Sequence, residues 1–493
     1  MRVLFVSPEC APFAKAGGLG DVVGSLPKAL RMLGVDARVV IPRYGFLSSV
    51  DGKLRSETLH VPLGEGTAPC QVYETSIPDS GVPVYLIRHD PLFGAGKIYD
   101  GYGGSLHELA RVGLLSRGAL VLCRQLGWVP DIVHVHDWPS AVIPVLLNTA
   151  EAGDDFFRRT ASVLTIHNIV HQPKFPPEGI ELLHVGRGVF RPDGLEDHGE
   201  INLLKGGMYH STMLVAVSPR YAAEITMPSG GGGLEHVARY RAADLVGIVN
   251  GIDEEVWNPE SDPFLPARFG PRDLSGKALC KQALQNETGL EANPKLPLFG
   301  VVSRLTHQKG IDVILDALEK ILALDAQVVI LGSGDPDLEA RMKAVAHARA
   351  RAHVGYSEKL AHLIEAGADF FLMPSRYEPC GLNQLYSQRY GTIPIVRATG
   401  GLDDTVDQID ERLGTGTGYK LRDLSVEELV KCASRGVKFW REHRQVFDAV
   451  RVRAMSRDFG WKPSAKRYVD VYGWALERVI GKAAANDVLN RKP

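Results

Sequence analysis

Cysteine is scarce in this chain: six residues, Cys10, Cys70, Cys123, Cys280, Cys380 and Cys432, stand far apart among 493 positions. No C-x-x-C pair occurs, which argues against both a disulfide framework and a structural zinc site and points to a reducing, cytoplasmic setting. Long apolar runs are also missing. No stretch approaches the roughly 18 residues that span a bilayer, and the VLFV run inside the opening MRVLFVSPE falls short of a secretory signal core. A soluble protein with no membrane partner is expected. Charge of one sign is absent too: 56 Lys and Arg against 58 Asp and Glu leave a formal net charge of -2. No summed positive field draws in a phosphate backbone or an anionic lipid surface, so nucleic acid is not an expected partner. The first glycine loop lacks the G-x-G-x-x-G spacing, which removes a nicotinamide fingerprint.

What is present is ordinary globular material, 45% hydrophobic and 23% charged, enough at about 150 residues per domain for two or three domains. Residues 3–6 read as a buried strand, because an uninterrupted apolar run ended by Ser and Pro suits a parallel sheet covered on both faces. A glycine loop follows, then Val22, Val23, Leu26, Leu30 and Leu33 at helical spacing, then an apolar run at 37–41. This strand, helix, strand unit opens a doubly wound α/β fold. Residues 57–62, 71–76 and 82–87 alternate and read as an edge or antiparallel patch. Helices are predicted over 106–126, 141–147 and 201–210, and strands over 131–135, 162–166, 214–217 and 245–249. Residues 173–200, rich in Pro, Gly and His, read as a long functional loop or a set of short helices.

Turn residues from Asn250-Gly251 to Asn258-Pro259 read as a linker. A second α/β series then alternates strands 298–303, 327–331, 369–373 and 393–396 with helices 310–324, 337–349 and 382–390. Tail helices are predicted over 425–440, where Ser425 and Glu428 have capping-box spacing, and over 462–479. The domain expectation is therefore 1–246, a linker or hinge at 247–259, a second domain at 260–461, and a C-terminal helical segment at 462–493.

In open parallel sheets, ligands bind outside the carboxyl ends of strands, so the residues after each strand form the shortlist. After the first strand come Lys15, Ala16, Gly17, Gly18, Leu19, Gly20 and Asp21. Adjacent glycines let backbone N–H groups approach a phosphate at a helix N-terminus, and Lys15 adds a positive charge; a plain strand-to-helix turn is the alternative. His134, His136 and Asp137 end another strand. The histidines share one face and Asp137 points the other way. Two histidines without a third ligand fit a satisfied strand end better than a metal site, so none is assigned. His167 and Asn168 end the next strand, where both can hold a sugar hydroxyl.

In the second series, Arg304 and Lys309 stand between a strand end and a helix start, the arrangement of a diphosphate clamp. In the stretch from Ser375 to Tyr386, Glu378 faces a cleft while Gly381 and Leu382 offer backbone N–H groups. Cys380 reads as a small loop residue rather than a nucleophile.

Taken in order, KAGGLGDVVGSLPKAL at 15–30, HDW at 136–138, TIHN at 165–168, INLLKGG at 201–207, NGID at 250–253, VSRLTHQKG at 302–310, GSGDP at 332–336, SRYEPCGLNQLY at 375–386 and TGGLDDTV at 399–406 cover essentially the whole chain. Together they resemble the bacterial glycogen synthases and plant starch synthases, retaining glucosyltransferases of the GT-B architecture. The resemblance implies two Rossmann-like doubly wound domains with an interdomain cleft, the first on the acceptor side and the second binding the nucleotide sugar. It also implies that the C-terminal segment packs back on the first domain. The implied reaction moves glucose from ADP-glucose to the non-reducing end of an α-1,4-glucan, with glycogen or a related glucan as partner and no cofactor. Residue by residue, it implies Lys15, Arg304 and Lys309 on the diphosphate, with Gly18 and the Leu382 amide nearby. Asp21, Tyr99, Asn250 and Tyr356 would surround the donor. His167 would lie beside the glucose, Asp137 would be a cleft carboxylate, and Glu378 would face the donor sugar with Cys380 and Gly381 in its loop. The competing readings are a related transferase using UDP-glucose or a small acceptor, and a sugar-nucleotide epimerase, which EPCGLNQLY disfavours.

Overall fold

The computed structural model describes residues 1–94, 96–99 and 104–491. The chain divides into two compact units, Met1–Gly251 with Trp461–Pro493, and Ile252–Gly460. The crossings thus fall at 251/252 and 460/461. Most of the stretch read as a linker, from Ile252 onward, is built into the second unit. No helix among the described residues is long and apolar enough to cross a membrane.

In the first unit, seven parallel strands run in the order Leu245–Gly247, Met213–Ala216, Ala161–Ile166, Ile132–His136, Arg2–Val6, Asp36–Pro42, Pro83–Arg88. Counted along the chain, the first strand lies between the second and the fourth, the doubly wound order whose switch point holds ligands. Near-continuous apolar strands account for this: every residue of Ile132–His136 and Ala161–Ile166 is buried, as a sheet covered on both faces requires. The antiparallel patch expected at 71–76 and 82–87 is present, and its second segment also joins the parallel sheet. Pro83–Arg88 is the third parallel strand, beside Asp36–Pro42, and on its other side it pairs antiparallel with Gly66–Ser76, which in turn pairs antiparallel with Lys53–Leu54 and Leu59–Leu63. The alternation of a strand does not record that one of its two neighbours runs parallel and the other antiparallel.

Residues 173–200 hold both helical turns, at Pro177–Gly179, Ile180–Leu183 and Arg187–Val189, and a small antiparallel sheet of Lys174–Phe175, Glu200–Asn202 and Glu196–Asp197. The tail helix Trp461–Ile480 belongs to this unit. Its buried residues Trp461, Ala465, Tyr468, Tyr472, Ala475 and Leu476 recur at three- and four-residue spacing. Ser464 Oγ donates to the Val249 carbonyl at 2.7 Å. A Cβ on Gly251 would lie 2.7 Å from Trp461 Cα, so the two segments cross where only glycine fits.

The second unit is a six-stranded parallel sheet ordered Ala350–Val354, Gln327–Gly332, Leu298–Val302, Phe370–Met373, Ile393–Arg397, Tyr419–Leu421, the same doubly wound order. The helix expected over 337–349 stops at Lys343, and Ala350–Val354 is a strand the sequence reading lacked. Its burial pattern is mostly intermediate, so its apolar signal is weak. Ser425 caps Val426–Glu442 as the capping-box spacing predicts, its hydroxyl accepting from the Glu428 amide at 3.2 Å. Beneath the sheet, buried Asp369 accepts from Lys281 Nζ at 2.6 Å, Arg451 Nη2 at 2.5 Å, Trp440 Nε1 at 3.0 Å and the Leu298 amide at 3.0 Å. Burial alone would raise its pKa, but the two cations outweigh burial and hold the carboxyl well below the usual range. This cluster locks the start of the strand that leads to Glu378.

Candidate active site

Each sheet carries predicted residues on the loops after its first and fourth strands, while His167, Asn250, Tyr99 and Tyr356 follow other strands. In the second unit the first of these loops leaves Leu298–Val302 through Arg304 and closes as a tight turn at His307–Lys309. Gly310 follows with φ 69°, and a Cβ there would lie 2.1 Å from the Pro374 carbonyl oxygen. Glycine therefore lets the Lys309 turn press against the exit of the neighbouring strand. On the other loop, Glu378 is buried, and its Oε2 accepts from Lys309 Nζ at 2.6 Å and from Ser375 Oγ at 3.0 Å.

Arg376 joins the two loops. Its guanidinium makes a fork onto Asp312 at 2.8 and 2.7 Å, and its amide donates to the Gln308 carbonyl at 2.7 Å. A third loop supports them: the Gly401 amide donates to the Glu378 carbonyl at 3.1 Å, and a Cβ on Gly400 (φ 44°) would lie 2.0 Å from that same oxygen. Gln384 Nε2 donates to the carbonyls of Cys380 and Gly381 at 3.0 and 3.1 Å, holding Gly381 at φ 73° just before Leu382 and the helix Asn383–Arg389. Cys380 is a buried residue of this loop. Tyr356 lies apart from the cluster, after the edge strand Ala350–Val354, and is 83% exposed. Arg304 is exposed, and its guanidinium has no partner among the described residues.

In the first unit, Lys15 and Asp21 pair at 2.7 Å across the start of the helix Gly18–Met32. The glycine loop differs from the expectation in one respect. The amides of Ala16 and Gly17 already donate to Glu9 Oε2, at 2.6 and 3.0 Å, so the amides open to a ligand begin at Gly18. Glu9 Oε1 accepts from the Tyr99 hydroxyl at 2.6 Å, which ties Tyr99 to the same loop. Burial and the Glu9 carboxylate push the Tyr99 hydroxyl far above its ordinary pKa, so it stays protonated.

Asp137 lies outside the strand that was expected to carry it. The strand ends at His136, and Asp137 opens a short helix at φ 50°, a left-handed conformation that turns its carboxylate onto the next strand's exit. Its Oδ1 accepts from the amides of His167 and Asn168 at 2.7 and 3.3 Å. Burial nevertheless dominates and pushes its pKa up to about 7. His136 Nδ1 and His167 Nε2 are 3.0 Å apart, while His134 is bonded to Tyr472 and Thr165 at 2.8 and 2.7 Å. Asn250 follows the edge strand Leu245–Gly247, buried, with its Oδ1 unpartnered among the described residues.

Sequence reasoning thus placed Lys15, Gly18, Asp21, His167, Asp137, Arg304, Lys309 and Glu378 on strand-end loops, but missed the residues that hold them. Glu9 carried a usable signal, a carboxylate directly after a buried strand. Arg376 and Ser375 stood inside the motif already singled out. Asp312 carried none, because a first-turn helix acid is common without any partner.

Comparison with known proteins adds an independent line. The family described as "Starch synthase catalytic domain" matches residues 2–240, and "Glycosyl transferases group 1" matches residues 285–431. The chain is 46% identical to "Glycogen synthase 1" of Geobacter metallireducens over 489 residues, covering 98% of this chain and 97% of that one. It is 40% identical to "Glycogen synthase" of Thermotoga petrophila, covering 97% and 100%. Among solved structures, the catalytic domain of starch synthase IV from Arabidopsis thaliana, bound to ADP and acarbose, superposes with a TM-score of 0.90 at 32% identity, covering 97% of this chain and 99% of that one. A sucrose-phosphate synthase from Thermosynechococcus elongatus, at 15% identity and a TM-score of 0.59 over 96% and 98% of the two chains, shares the fold alone.

Proposed function

The chain belongs to the glycogen synthase family, and on that premise we propose that it extends an α-1,4-glucan, moving glucose from ADP-glucose to the 4-hydroxyl at the non-reducing end with retention of configuration. The observation that carries this reading is the Lys309–Glu378 pair, with Arg304 on the same loop as Lys309, at the carboxyl ends of the second unit's first and fourth strands. A nucleoside diphosphate suits that position, where the loop after the first strand carries two cations, Arg304 and Lys309, beside a switch point. The ADP bound to the Arabidopsis relative supports an adenine nucleotide as the carrier.

Breaking the bond from glucose C1 to the diphosphate builds negative charge on the leaving group and positive charge on the sugar ring. Cations fixed in advance stabilise the leaving diphosphate without reorganising as the charge grows, so Arg304 and Lys309 supply the main catalytic effect. Glu378 sets the position of the Lys309 ammonium and places a carboxylate near the developing positive charge. On the first unit, Lys15 with Gly18 and Asp21 serves the donor, and Asp137 holds the His167 backbone beside the sugar; Tyr99, Asn250 and Tyr356 complete the binding set. The glucan acceptor and the nucleotide sugar are the two substrates, and no cofactor enters the reaction.

The test is incubation with glycogen and either ADP-glucose or UDP-glucose, measuring released nucleotide and chain growth. ADP release matched by lengthened α-1,4 chains is expected. Growth from UDP-glucose alone would favour the related transferase, and free sugar or an epimer without chain growth would favour the epimerase.

A further inference from the structure

Three histidines in the first unit form a ladder whose chemistry reaches His167, and the inference drawn from it rests on the proposed place of His167 beside the sugar. His134 and His136 are two residues apart on one strand, and Thr165 and His167 are two residues apart along the next, parallel strand and its exit. The register pairs His136 with Thr165, so each histidine reaches one step ahead: His134 Nε2 to Thr165 Oγ1 at 2.7 Å, His136 Nδ1 to His167 Nε2 at 3.0 Å. The other end of the ladder is fixed by the tail helix, where the Tyr472 hydroxyl lies 2.8 Å from His134 Nδ1. Phe5 stacks on the His136 ring at 5.7 Å between centroids.

Burial holds His134 and His136 well below the ordinary imidazole range and pushes His167 down to about 3, so all three rings are neutral at physiological pH. A neutral imidazole carries one proton, and the bond from His136 Nδ1 to His167 Nε2 holds one proton as well. Two arrangements are therefore available. If His167 is the donor, the proton of His136 must sit on its Nε2, which is buried without any hydrogen-bond partner among the described residues. If His136 is the donor, that buried Nε2 is only an unused acceptor, and the proton of His167 moves to Nδ1. An orphaned buried N–H is the rarer and costlier defect. The Nδ1 of His167 has no protein partner among the described residues, and the residue as a whole is half-buried.

We propose that His136 is a positioning residue that fixes His167 as the Nδ1–H tautomer, so that His167 meets the sugar as a hydrogen-bond donor to an oxygen and not as an acceptor or a base. The direct test is nitrogen-15 NMR of the full chain labelled at histidine, with His167 assigned by the signal lost in His167→Gln. A protonated Nδ1 and an unprotonated Nε2 on His167 are expected; the reverse pattern overturns the proposal. Kinetics give a second test. His136→Leu removes the donor and is expected to lower kcat about tenfold, the scale of one hydrogen bond. In His136→Asn the side-chain amide stands where Nδ1–H was, and it should recover most of that loss. Equal losses in both variants would mean that His136 only fills space. Should the wild-type chain show the expected tautomer yet extend no glucan, the functional reading fails while the assignment of the proton stands.

Discussion

The Lys309 ammonium lies 2.6 Å from Glu378 Oε2, and this pair bridges the two loops at the switch point of the second sheet. Lys15 is likewise paired, with Asp21 at 2.7 Å. Two of the three cations assigned to the diphosphate thus carry a carboxylate partner, whereas Arg304 has none among the described residues. The difference separates their expected roles: Arg304 offers its whole charge to a phosphate, while Lys309 must share.

Arg304→Ala and Lys309→Ala are each expected to lower kcat by about two orders of magnitude or more, because each removes a charge from a leaving group that becomes more negative in the transition state. Only Lys309→Ala should also lose stability, by about 1–3 kcal/mol, since it strips the buried Glu378 of its strongest partner. Steady-state kinetics and thermal unfolding of both variants check this. Turnover near wild type in both would refute the clamp.

Activity should survive EDTA. Both nitrogens of His134 are engaged by Tyr472 and Thr165, and His136 Nδ1 and His167 Nε2 are spent on each other, which leaves one nitrogen on each of these two rings and too few ligands for a metal. On the proposed reading, Arg304 and Lys309 meet the diphosphate charge without a metal. Loss of turnover on chelation, restored by one added metal, would reassign His136 and Asp137.

The doubly wound pattern was legible because strands buried on both faces are written as unbroken apolar runs, as at Val3, Leu4, Phe5 and Val6. Site loops were legible because ligands collect at strand ends and glycine marks close backbone approach, as at Gly310. Three kinds of fact were not. The second partner of Pro83–Arg88, the parallel strand Asp36–Pro42, depends on a neighbour and not on the strand itself. The weakly apolar strand Ala350–Val354 has no strong pattern to read. The supports of the site, such as Glu9 on the Ala16 and Gly17 amides and Arg376 on Asp312, are contacts between side chains and distant groups that spacing along the chain does not encode.

Asp369→Asn is expected to destabilise the second unit by about 3–5 kcal/mol, since it leaves Lys281 and Arg451 buried without their shared counter-charge. Thermal unfolding at neutral pH is the measurement. An unchanged transition would show that the two cations find other partners, and the account of how the strand before Glu378 is held would fall with it.

The last expectation concerns Asp137 and pH. Its folded pKa, about 7, lies above the roughly 3.9 of an unfolded aspartate. Between those values the folded chain keeps a proton that the unfolded chain has lost, so this residue makes stability fall as pH rises through that window; above about pH 7 the penalty levels off. Asp137→Asn removes the titration while keeping an oxygen that can accept the His167 and Asn168 amides, and asparagine tolerates the left-handed backbone at φ 50°. The variant should therefore unfold at a higher temperature than wild type at pH 8, with the gap narrowing toward pH 5. Unfolding temperatures across that range decide the matter: a gap that stays constant, or that widens on acidification, would show that Asp137 is ionised in the folded chain throughout.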